Sequence, residues 1–182
     1  ENFRKGRETG IQRLMNINLL KRMESSVHSF LLTVQRVYQY LYNTDQTIKD
    51  FIQNGSGNLN EMTDLSAAAE DFDDDDQNTD FFSVGKKVQI DLHDMDYISW
   101  KRDIEDDLDT LSVLISMVKD ITPEYDYKLN QLMKVIRDKE EKPINPGNKK
   151  VLIFTAFADT AEYLYDNIAP KAKELGLNTA LV

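Results

Sequence analysis

The 182-residue chain carries 22 Lys/Arg against 32 Asp/Glu, a formal net charge of −10, with 41% hydrophobic and 30% charged residues. That balance supports a packed core, and no apolar run is long enough to span a bilayer. Zero cysteines exclude disulfides and thiolate metal sites and fit a reducing cytoplasm.

The acidity is local. Residues 1–60 hold eight Lys/Arg against five Asp/Glu, residues 61–110 four against seventeen, and residues 111–182 ten against ten. The middle stretch therefore disfavours nucleic-acid binding, while the basic N-terminal part leaves it open.

In chain order, Glu1 to Arg7 is polar and basic, and Thr9 suits a helix N-cap. Leu20, Met23, Val27, Phe30, Leu31, Val34, Tyr38, Leu41, Ile48, Phe51 and Ile52 then recur at steps of three and four. They predict a helix of about 30–45 residues reaching Asn54, with a break near Asn16 or Asn43, and its length suggests an antiparallel hairpin. Gly55-Ser56-Gly57 ends it.

Residues 58–83, which include Glu70-Asp71-Phe72-Asp73-Asp74-Asp75-Asp76, read as an acidic flexible loop. A calcium loop lacks its central glycine and closing glutamate there. Lys86 to Leu92 alternates weakly, as a short strand or an extended lead-in. Asp94 or Asp96 opens a further helix with Trp100, Ile104, Leu108, Leu111, Leu114, Ile115 and Val118 on its buried stripe. Thr122-Pro123 fits the cap and first position of the next, which uses Tyr127, Leu129, Leu132, Met133 and Ile136. Pro143 to Asn148 is a turn-rich linker and the best domain boundary.

Beyond it, Val151-Leu152-Ile153-Phe154 has the β-branched and aromatic character of a buried strand. Thr155 to Ala158 connect it to a helix capped by Asp159, with Glu162 at capping-box spacing, a kink or break at Pro170 and a stop near Gly176. Leu177 to Val182 reads as a second strand, making a βαβ unit. The expected fold is mostly α. A long antiparallel helical hairpin or bundle (1–142) precedes the linker (143–148) and the truncated βαβ of an α/β domain (149–182). The helices of residues 1–142 are expected to hold together without the rest.

Few residues suggest chemistry. His28 and His93, the only histidines, have no second ligand at metal spacing and suit packing or surface roles. Lys21-Arg22, with Glu24 and Ser25-Ser26, offers a phosphate-contacting patch. An exposed helix face with local ion pairs accounts for it better from the residues alone. Trp100 suits a core anchor.

Three stretches share a resemblance. VLIFTAFADTAEYLY (151–165) resembles the start of the second RecA-like domain of SNF2-type ATPases of helicase superfamily 2, around helicase motif IV. LLKRMESSVHSF (19–30) resembles the opening of the helical region in bacterial members, and PEYDYKLNQL (123–132) the segment entering the second motor domain.

The resemblance implies a fragment of an ATP-dependent DNA translocase comprising the helical region between the motors and the start of the second motor. It gives nucleic-acid contact candidates at Thr155, Ala156, Phe157, Lys21 and Arg22. Ala156 stands where the family commonly has Gln or Glu, so contact there falls to backbone amides.

The phosphate loop G-x-x-x-x-G-K-[ST] and the D-E-x-H acidic box are absent, and the arginine-containing motif VI would lie beyond Val182. The fragment is therefore expected to hold no cofactor or metal and to be inactive alone. ATP and Mg belong to the parent, as do contacts with duplex DNA and with the other motor domains, in the cytoplasm. The alternative is a helical protein-interaction module joined to an unrelated α/β domain.

Overall fold

A computed structural model describes residues 2–54 and 92–182 of the chain. The acidic stretch 58–83 and all but the last residue of the expected lead-in 86–92 lie outside the described residues. The rest is mostly helical. The helices are α1 (Asn2–Ser25), α2 (Val27–Asn54), α3 (Tyr97–Lys119), α4 (Tyr127–Glu141) and α5 (Ala158–Glu174), with a 3₁₀ turn at Leu92–Asp94 before α3.

The first expected helix is two. It starts at Asn2 rather than at Thr9, and the interruption falls at Ser26 rather than at either asparagine. Ser26 is built into both sides: its amide donates to Arg22 O at 3.0 Å, and its carbonyl accepts from Phe30 N at 3.1 Å. Its hydroxyl accepts from Ser29 N at 3.0 Å, the side-chain bond of an N-cap. A small hydroxyl residue lets the helix restart without breaking the chain's direction of bonding.

The stripe of α2 meets that of α3. Ile48, Phe51, Ile104 and Leu108 close a core with Leu92, and Tyr38, Leu41, Met95, Tyr97 and Trp100 pack around it. Phe51 presents edge-on contacts to His93 and Tyr97 at 4.7 and 5.2 Å between centroids. Asp96 caps α3 by accepting from Ser99 N at 3.1 Å, as its position in the sequence suggests. That backbone bond first, then the Ser99 side chain, lowers the Asp96 carboxyl below its usual range. Lys49 lies 2.5 Å from Asp45 within α2 and Lys101 2.5 Å from Glu105 within α3, and across the pair Lys49 lies 3.5 Å from Glu105.

The α4 helix does not join this core. It starts at Tyr127 rather than at Pro123, because Asp126 takes the cap and accepts from Leu129 N at 3.0 Å. Its buried face (Leu129, Met133, Ile136) packs on Ile168 and Ala172 of α5, with Leu132, Val151, Tyr163, Leu164 and Leu177 at the margin. The two cores share no residue. The packing of α4 therefore differs from that expected within residues 1–142, since its apolar partner is supplied by residues after 142.

The α5 helix runs through Pro170 without a break and ends as the glycine predicts. Gly176 has φ +73°, Gly176 N donates to Lys173 O at 3.0 Å, and Leu177 N donates to Ala172 O at 2.9 Å. These are the paired bonds of a Schellman stop, with Leu177 folded back on the core.

No strand forms among the described residues, so the truncated βαβ unit expected at 149–182 is present only as its helix. The sequence run at 151–154 is strand-like, but a strand also needs a ladder partner for its backbone groups. Leu152 and Phe154 are 82% and 89% exposed.

A fragment ending at Lys142 is expected to keep slow amide exchange in α2 and α3, while α4 exchanges nearly as an unstructured peptide. A 15-residue helix without its partner is marginal in water. Equal protection of α4 in the fragment and the full chain, by hydrogen-exchange mass spectrometry, would contradict the two-core architecture.

Candidate functional site

Between the two apolar cores lies a polar joint, and it gathers residues far apart in the chain. Arg22, at the C-terminal end of α1, is 2% exposed. Its Nη1 lies 2.7 Å from Asp159 Oδ2, 137 residues away in the first turn of α5, and 3.3 Å from Ser29 Oγ. The guanidinium also covers the Phe157 ring, with Cζ 4.6 Å from its centroid. Around the pair, Thr160 Oγ1 is 2.9 Å from both Ser25 Oγ and Ser26 Oγ.

Local sequence explains each position. The break at Ser26 leaves the last carbonyls of α1 without helical partners. Lys128, at the start of α4, donates to the Glu24 and Ser25 carbonyls, the latter at 3.1 Å. The other oxygen of buried Asp126 accepts from Tyr163 Oη at 3.0 Å. The Tyr163 ring stacks on His28 of α2 at 4.9 Å between centroids and 7° between planes. Four of the five helices thus contribute to one polar cluster.

Arg22 and Lys21 fare differently. The exposed-face reading of this pair with local ion pairs fails for Arg22, whose ion pair is buried and long-range. The periodicity could not show this, since the partner is set by tertiary structure. Lys21 is exposed at the rim.

The loop 155–157 adjoins the joint. Thr155 Oγ1 donates to Phe157 O at 2.7 Å and accepts from Phe157 N at 3.3 Å. Its single proton is therefore committed to the turn, and its role here is to shape the loop. Ala156 is exposed, and Phe157 is half-buried beneath Arg22.

Asp159 is not the cap of α5. Phe157 holds that position with no side-chain cap bond, and Asp159 turns to Arg22 instead. A charge-assisted bond to guanidinium is about twice as strong as a neutral one, which decides the competition. The first ladder bond of α5 runs from Ala161 N to Phe157 O at 3.1 Å. The amides of Ala158 and Asp159 therefore lie ahead of the ladder, at the positive end of the helix dipole.

Asp126, Ser29, Thr33 and Thr160, all buried, are not marked as candidates by the sequence, whereas Ser26, also buried, belongs to the patch with Lys21-Arg22. Asp126 and Ser26 carry a readable signal as hydroxyl or carboxylate residues three before a helical amide. Thr160 carries none. Among the described residues no helix is long and apolar enough to cross a membrane, and no group of three metal-ligating side chains occurs. No family model, curated protein or solved structure matches the chain.

Burial first, then the hydrogen bond to the Asp126 carboxylate, raises Tyr163 well above the usual phenol value. The folded chain thus keeps this phenol neutral where the unfolded chain ionises it. The associated stability is full below about pH 10 and is lost as pH rises through the raised value. In an alkaline titration followed by tyrosinate absorbance, Tyr163 should ionise among the last, and Asp126→Asn should bring it down. Ionisation of Tyr163 near the usual phenol value of about 10 would contradict the buried bond.

Proposed function

We propose that the chain is part of an SNF2-type ATP-dependent nucleic-acid translocase. It supplies the helical region between the motors and the motif IV loop of the second, with ATP and Mg held elsewhere in the parent. One observation carries this reading: the three stretches whose wording resembles that family meet at a single joint. Arg22, Ser25, Ser26, Ser29 and His28 belong to the first, Asp126 and Lys128 to the second, and Phe157, Asp159, Thr160 and Tyr163 to the third. A chance likeness in separate segments gives no reason for them to touch.

A second observation agrees. Segments 151–155 and 177–182 flank an apolar groove of about 640 Å³ floored by Ala161, Leu164, Tyr165 and Ile168 of α5. Its exposed rims, Leu152, Phe154 and Leu181, suit two strands whose ladder and covering face come from the remainder of a RecA-like domain. Closure and opening of two such domains around ATP drives movement along a duplex, and the helical region acts as lever and scaffold.

In this reading the loop Thr155–Ala158 meets the nucleic-acid backbone through its amides and the dipole of α5. Lys21 adds charge at the rim. Such contacts position a phosphate without reading sequence, as a translocase requires.

The 182-residue chain should show no specific heat in calorimetric titration with Mg-ATP. A dissociation constant below about 1 mM, roughly −4 kcal/mol, would reveal a nucleotide site and contradict this division of labour. With a labelled DNA duplex, binding should be weak and fall with salt, the slope reduced by about one in Lys21→Ala. Thr155→Ala, which unlocks the turn, should weaken binding at every salt concentration. Affinities unchanged in both variants across the series would leave the loop a structural turn.

A further inference from the structure

We infer that the joint is a latch: it opens as a unit at Ser26 and the first turn of α5 while both apolar cores stay closed. The contacts between the cores are mainly polar, among Arg22, Ser25, Ser26, Ser29, Asp126, Asp159 and Thr160, with the Phe157 ring under Arg22 and the Tyr163–His28 stack beside them. Their bonds can be exchanged for bonds to water, whereas each core buries apolar area that water does not replace. Asp159 Oδ1 is moreover buried without a hydrogen-bond partner, a cost that opening removes.

Geometry supplies the hinges. The α1–α2 junction is already interrupted at Ser26. The covalent route from the α2/α3 pair to the α4/α5 pair is the turn Asp120–Asp126. Neither core has a residue in the other, so separating the pairs breaks no apolar cluster.

What keeps the latch shut is equally specific. The Arg22–Asp159 pair spans the two bodies at 2.7 Å, and Thr160 bridges both serines of the break. Because Phe157 lies under the Arg22 guanidinium, opening also frees the loop before α5. The consequence for a nucleic-acid contact rests on the function proposed above; the opening does not, and it is tested without nucleic acid.

The test is hydrogen-exchange mass spectrometry on the full chain, unaltered and with Asp159→Asn or Thr160→Val. In the unaltered chain, amides of Ser26–Phe30 and Ala161–Leu164 should exchange faster than those around Ile48, Ile104, Met133 and Ile168. Each substitution should accelerate the joint amides at least about tenfold while both cores stay within about twofold, as for a local opening. Uniform acceleration across the chain, an unaffected joint, or loss of folding in both variants would make the joint part of one cooperative core and overturn the latch.

Discussion

The structure turns on one buried cation. Removing the Arg22 guanidinium from water is costly, and the cost is offset only if its surroundings return comparable bonds. Asp159 supplies the opposite charge, Ser29 a hydroxyl and Phe157 a π-face. None of these lies within the first helix, so these contacts form only when α2 and the N-terminal end of α5 are docked against it. That requirement fixes the loop 155–157 and gives Asp159 its role. It also places Thr160 against the serines where α1 gives way to α2.

Packing and charge therefore divide the work. The α2/α3 and α4/α5 pairs each bury their own apolar stripe, which accounts for cohesion within a pair. Between pairs, the contacts are directional. Hydrogen bonds and ion pairs contribute less net stability than apolar burial of similar extent, but they specify one geometry. The Tyr163 ring links the two kinds of contact: it borders the α4/α5 core, bonds the Asp126 cap and stacks on His28 of α2. A joint of this kind holds its parts in register through directional contacts rather than through a shared apolar core.

The helices were legible because their signals are local. The stripe from Trp100 to Val118, the Asp96 cap and the Gly176 stop all follow from periodicity and cap chemistry within a few residues. The failures are failures of range. Asp159 reads as a cap from its neighbours and is claimed instead by an arginine 137 residues away. Val151–Phe154 reads as a strand from composition, but a ladder is a property of two strands. Pairing of α4 with α5, rather than with α2 and α3, is equally invisible to a pattern that marks an apolar face without naming its partner. Family wording pointed to three separate places, and only tertiary structure brings them to one.

If the joint organises the fold, Arg22 and Asp159 act together. A double-mutant cycle with Arg22→Met and Asp159→Asn in the full chain, read by urea denaturation, measures this directly. The predicted coupling is at least about 1.5 kcal/mol, because each single change strands the other partner in a buried site. Additive effects, with coupling within about 0.3 kcal/mol of zero, would mean that the two side chains are solvated separately and that the joint does not organise the fold.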